Sequence, residues 1–177
     1  MINEKQDIAY FLSFCIEQYK VAKSLTGNEA MTLLSGYSVL EYLEEHYEAL
    51  HTQSRQWLVE EIDDFIKERD KDCEVLSIAN NFEVAGQSLS KLEVTQHNLH
   101  LLLPSKVSRM AVMLVEDEDV SMVEAMIRLY SSKVYARFED ESTKAWNLSP
   151  VALYEEFQEE AQSLKCDIPN RLQINPN

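Results

Sequence analysis

An internal repeat constrains this chain more than any other feature. From Thr26 the sequence runs TGNEAMTLLSGYSVLEYLEE, and from Ser121 it runs SMVEAMIRLYSSKVYARFED. The shared Glu-Ala-Met at 29–31 and 124–126 sets an offset of 95 residues. Kept without a gap, that offset aligns Leu34 with Leu129, Val39 with Val134, Ser54 with Ser149 and Leu58 with Leu153. Tandem helical units bury their apolar faces against one another and leave outer faces for partners. The repeat thus predicts two related modules in place of one irregular domain.

Apolar spacing predicts that both modules are helical. A first helix is expected from Asp7 to Lys23, with Ile8, Leu12, Cys15, Ile16 and Tyr19 along one side. Tyr10, Phe14 and Val21 form an opposed stripe, which predicts a helix enclosed by neighbours. Thr26-x-x-Glu29 is a capping box opening a short helix to Ser35, with Gly36 as a left-handed C-cap. Ser38 is expected to cap the next helix, whose stripe is Val39, Leu40, Leu43, Tyr47 and Leu50, with His46 half-buried at its border. Ser54 caps a fourth helix reaching Arg69, which buries Leu58, Val59, Ile62, Phe65 and Ile66. The acidic residues Glu60, Glu61, Asp63 and Asp64 fall on the opposite side, and Trp57 lies among them, either as an interface anchor or folded over the preceding loop.

Residues 75–103 carry a helical period weakened at Gly86; Val84, Val94 and Leu101–Leu103 also suit short extended segments, but the period persists over several turns and a connecting helix is expected. The second module opens at Pro104, with Val107, Met110, Ala111, Leu114 and Val115 as its first core stripe. Ser121-x-x-Glu124 repeats the capping box, and Ser149-Pro150 supplies a cap followed by a residue suited to the first helical turn. Leu153, Tyr154 and Phe157 carry the last helix, and an irregular tail is expected from Lys165. The modules differ in detail: Ala152 stands where the first has Trp57, and Trp146 where it has His51.

Sixteen basic residues against 31 acidic ones give a formal charge of −15. No Lys/Arg cluster tracks a phosphate backbone, so nucleic acid is not expected as a ligand. A basic protein partner is favoured by the field of such a chain. Three widely spaced cysteines, no signal-peptide pattern and no long apolar run predict a cytoplasmic protein that neither enters nor spans a membrane.

Recognisable chemistry is missing from the pattern. His97 and His100 share a helical spacing but lack a third donor, so no metal site is expected. Three glycines in total cannot assemble a phosphate-cradling loop, and no cofactor is expected. The pairs Glu60-Glu61, Asp63-Asp64 and Glu155-Glu156 are expected to face solvent, where carboxylates do not gain the separated pKa values that acid–base work needs. Asp117-Glu118-Asp119 lacks the spacing of a calcium loop.

Residues 11–69 carry Phe14-Cys15-Ile16-Glu17, the Thr26-Gly27-x-Glu29 cap, Tyr37-x-Val39-Leu40-x-Tyr42 and His51-Thr52-Gln53. In these features the stretch resembles a bacterial family catalogued as domain of unknown function 3791. The stretch from about 103 to 159, with SKVYARFEDESTKAW and SPVALYEEF, resembles a diverged second copy. The resemblance implies small helical proteins without an assigned enzyme activity, whose genes often neighbour those of toxin-like putative ADP-ribosyltransferases. It therefore implies an antitoxin-like or accessory role.

These readings predict an all-α protein of two pseudo-repeated helical modules, at 1–72 and 104–164, joined by a helical connector at 73–103 and ending in a tail at 165–177. The expected activity is non-enzymatic protein–protein binding, with Trp57, Tyr42 and Trp146 as anchors. The alternatives are a structural homo-oligomer using the double-striped first helix, and a small enzyme whose acidic site forms only in three dimensions.

Overall fold

A computed structural model describes residues 2–70 and 94–166, which are helical through most of their length. The helices are α1 (Ile2–Lys23), α2 (Gly27–Gly36), α3 (Val39–Glu45), α4 (Tyr47–Leu50), α5 (Arg55–Arg69), α6 (Gln96–Leu99), α7 (Leu103–Glu118), α8 (Met122–Tyr130), α9 (Lys133–Phe138) and α10 (Pro150–Cys166). Two short 3-10 turns, Glu141–Thr143 and Ala145–Asn147, join α9 to α10. The repeat is visible in the element boundaries. The starts of α2 and α8, the starts of α5 and α10, and the ends of α1 and α7 are each separated by the 95 residues read from the sequence.

The protein is all-α and consists of two helical modules, α1–α5 and α7–α10. Their apolar faces merge into one core. Leu12, Ile16, Leu34, Leu40 and Ile62 of the first module share it with Leu103, Leu114, Met126, Leu129 and Phe138 of the second. Among the described residues the most extensive contact is α1 on α7, and α2 packs on α8. Equivalent helices therefore meet across the junction. The α1–α7 pair runs in opposite directions: Gln6, early in α1, bonds Ser108, whereas Lys20, near its end, shares a cleft with Leu103 at the start of α7.

Hydroxyl caps set most helix starts. Thr26 accepts the Glu29 amide at 3.3 Å, and the Glu29 carboxylate returns to the Thr26 amide at 2.8 Å, completing the box. Ser54 accepts from the Trp57 amide, and Ser149 from the Ala152 amide. Ser121 accepts from the Glu124 amide, but the reciprocal half is missing, because the Glu124 carboxylate takes the Arg128 side chain at 2.7 Å.

Several expectations are corrected. Helix α1 begins at Ile2, five residues before Asp7. It is enclosed from Phe11 to Lys20, with Phe14 half-buried, but Tyr10 and Val21 of the second stripe are exposed at 46% and 48%. The neighbours flank the middle of the helix and leave those two positions open. Gly36 is not left-handed; it remains in α2, and the left-handed residue is Ser38 at φ 56°. Ser38 accordingly makes no side-chain cap. The helix expected to continue to Leu50 breaks at His46, whose side chain is exposed and lies against Tyr42 at 4.7 Å between ring centroids. His100–Leu102 form a turn between α6 and α7 where a continuous helix was expected. Lys165 and Cys166 belong to α10, not to the tail. The rest of the tail, residues 71–72 of the first module and residues 73–93 of the connector lie outside the described residues.

Candidate functional site

The three expected anchors stand on different elements and in different surroundings. Trp57 lies in the first turn of α5 and remains 39% exposed, near the exposed carboxylate residues Glu60 and Asp64. Tyr42 on α3 is held within its own module. Its hydroxyl donates to Glu61 at 2.6 Å and its ring stacks on Phe65 at 4.2 Å. Burial and the neighbouring carboxylates of Glu61 and Glu68 push its hydroxyl up to about 12. Trp146, in the second 3-10 turn, packs half-buried on the core, and its indole N–H donates to the Glu141 carbonyl at 3.3 Å. Lys106 fixes that turn by donating to the carbonyls of Trp146 and Leu148.

The acidic pairs are less uniform than expected. Glu60 and Asp64 face solvent, but Glu61 accepts from Tyr42, and Asp63 accepts from Lys23 at 2.6 Å and Tyr19 at 3.1 Å. Glu156 pairs with Arg137. Asp117 accepts from Tyr154 at 2.9 Å, and Glu118 pairs with Arg128 at 2.7 Å. These carboxylates tie helices together. Among the described residues, no group of three or more His, Cys, Asp or Glu side chains is placed to hold a metal ion.

Among the described residues, the largest concentration of buried polar chemistry lies where the modules meet. Glu17 is completely buried on α1. Its Oε1 accepts the hydroxyls of Tyr130, at 3.2 Å, and Tyr135, and its Oε2 lies 2.8 Å from Lys20 Nζ. Lys20 Nζ also donates to the Tyr135 hydroxyl at 2.8 Å and to Glu139 at 3.2 Å. Glu139 in turn accepts the Gly27 amide at 2.9 Å, so a carboxylate from the second module sits at the start of α2. Lys20 thus donates two hydrogen bonds and makes an ion pair with Glu17 Oε2, a buried atom that accepts no hydrogen bond among the described residues. Burial raises the Glu17 carboxyl despite the opposing pull of Lys20 and both tyrosines. Burial first, and then the Glu17 charge, hold both tyrosine hydroxyls far above their usual range. At neutral pH the tyrosines are therefore donors.

Beside this cluster a cleft of about 410 Å³ is lined by Lys20, Val21, Leu25, Leu99, His100 and Glu139, among others. His100 Nδ1 is buried and has no hydrogen-bond partner among the described residues. Burial lowers its pKa, with smaller contributions from the charges of Lys20 and Arg55. A second groove, of about 550 Å³, follows α1 and α7 past Gln6, Tyr10, Ser105, Ser108 and Arg109.

Sequence reasoning missed Glu17 and Lys20. The available signal was a charged pair three residues apart in a helix apolar on both sides, where neither residue has a polar face to occupy. Tyr130 and Tyr135 lie in the core, and their shared acceptor is more than a hundred positions away in the chain.

Residues 10–69 match the family described as Protein of unknown function (DUF3791). The match covers the whole of the stretch on which the resemblance was based and about a third of the chain. No curated protein and no solved structure matches the chain. No described helix is long and apolar enough to cross a membrane.

Proposed function

We propose that the chain is a protein-binding module that presents an acidic helical surface with Trp57 as its anchor. The exposure of Trp57 carries this reading, since a large ring left outside the core near carboxylates is a typical recognition element for a basic partner. The formal charge of −15 supports it by favouring encounter with a positively charged surface. Tyr42 and Trp146 contribute less, because each is already engaged inside its own module.

A finer reading is that the second half is a diverged copy of the matched unit, and that the partner is a toxin-like protein held inactive by the complex. It rests on the family resemblance and on the 95-residue register. Affinity capture from the source cell, comparing the natural chain with Trp57→Ala, tests the main reading. A partner retained by the natural chain and weakened about tenfold or more by the variant is expected, as for a central aromatic anchor. Far-UV circular dichroism should be unchanged. Equal capture by both chains overturns the anchor assignment.

A further inference from the structure

We propose that the buried cluster at the module junction is a pairing code: it makes the first module fit the second and prevents either from fitting another copy of itself. Contact between equivalent helices, α1 on α7 and α2 on α8, is the arrangement of a symmetric dimer closed within one chain. Such a junction carries an inherent ambiguity, because each module offers a surface related to the one that it meets.

The polar cluster resolves it by being one-sided. Shifting by the repeat offset places Val112 where the first module has Glu17, Val115 where it has Lys20, and Met122 where it has Gly27. In the reverse direction, Ser35 stands for Tyr130, Leu40 for Tyr135 and Glu44 for Glu139. Only the last position keeps its chemistry. Two first modules docked in this geometry would bury Glu17 and Lys20 against Ser35 and Leu40. The completely buried carboxylate would lose both tyrosine donors, and Lys20 would lose the Tyr135 hydroxyl. Desolvating a charge without restoring its hydrogen bonds opposes that pairing.

Two second modules meet a steric obstacle. A Cβ placed on Gly27 would lie 2.0 Å from Cε1 of Tyr135, so this position tolerates no side chain while that ring is present. In the natural chain Tyr135 is held by Glu17 and Lys20 and packed on Tyr130 at 4.3 Å; facing another second module it would meet Val112 and Val115, which offer its hydroxyl no side-chain partner. The second module carries Met122 at the corresponding position. Gly27 and the two tyrosines therefore act as complementary halves, one in each module. This proposal is independent of which foreign partner the protein binds.

The test uses the full chain. Sedimentation equilibrium should find the natural protein monomeric over a wide concentration range. Glu17→Val/Lys20→Val/Tyr130→Ser/Tyr135→Leu, which gives each position its counterpart from the other module, should acquire concentration-dependent dimers. A natural chain that dimerises through α1, or a quadruple variant as monomeric as the natural chain, overturns the proposal. The Gly27→Ala substitution supplies a second readout should the quadruple variant fail to fold. It should lower the folded-to-unfolded ratio at least tenfold in the natural background and less than threefold with Tyr135→Leu. Equal losses in both backgrounds likewise overturn the proposal.

Discussion

At the scale of single residues, burial decides which ionisable groups matter. Glu17 and His100 are shifted in opposite directions for one reason, because low polarity disfavours the charged form of each. Their effects on stability have opposite signs. The folded-state pKa of His100 lies below the free value of 6.5, so its contribution is fully present above that pH and is lost as the pH falls. Glu17 has a raised pKa, so its contribution is present at low pH and is lost as the pH rises above its free value of 4.5. Urea denaturation at a series of pH values isolates the histidine effect when the natural chain is compared with His100→Gln, which cannot be protonated. The stability difference between the two should shift against the natural chain as the pH drops below 6.5, whereas parallel curves would assign the acid sensitivity elsewhere.

At the scale of elements, the caps offer a comparison within one molecule. Thr26 takes part in a complete reciprocal box, whereas Ser121, its counterpart, has only the forward bond. Replacing either by alanine should cost about 1 kcal/mol, with Thr26→Ala the more costly of the two. Thermal melts should show a drop of about 2–4 °C for a loss of that size. The helices were legible because their signals are local: a hydroxyl cap, an acidic third residue and an apolar period are read within one or two turns. Gly36 misled for a physical reason. Its freedom to adopt positive φ is a permission, and packing of Val39 and Leu40 into the core placed the reversal at Ser38. The junction cluster was illegible because its members meet only through the tertiary fold. Glu17 and Lys20 stand out locally as misplaced charges, but nothing near them names Tyr130 or Tyr135. The expected anchors were legible as aromatics. Whether each ring was free depended on Phe65, Glu61 and Glu141, which their own helical patterns do not reveal.

At the scale of the whole molecule, the shared core predicts that the modules unfold together. The two tryptophans make this measurable, because Trp57 belongs to the first module and Trp146 to the second. In Trp57→Phe and Trp146→Phe variants, the remaining indole reports on one module at a time. Each fluorescence transition in urea should coincide with the loss of helical circular dichroism in the same variant. Separate midpoints within a variant would mean that the contact of α1 with α7 is too weak to couple the halves.

Cys15 lies in the shared core with 1% of its surface exposed, and burial raises its thiol far out of the reactive range. A maleimide can reach it only after the helices around it separate. In a chain freed of Cys73 and Cys166, the rate of alkylation therefore becomes a clock for rare excursions out of the native state.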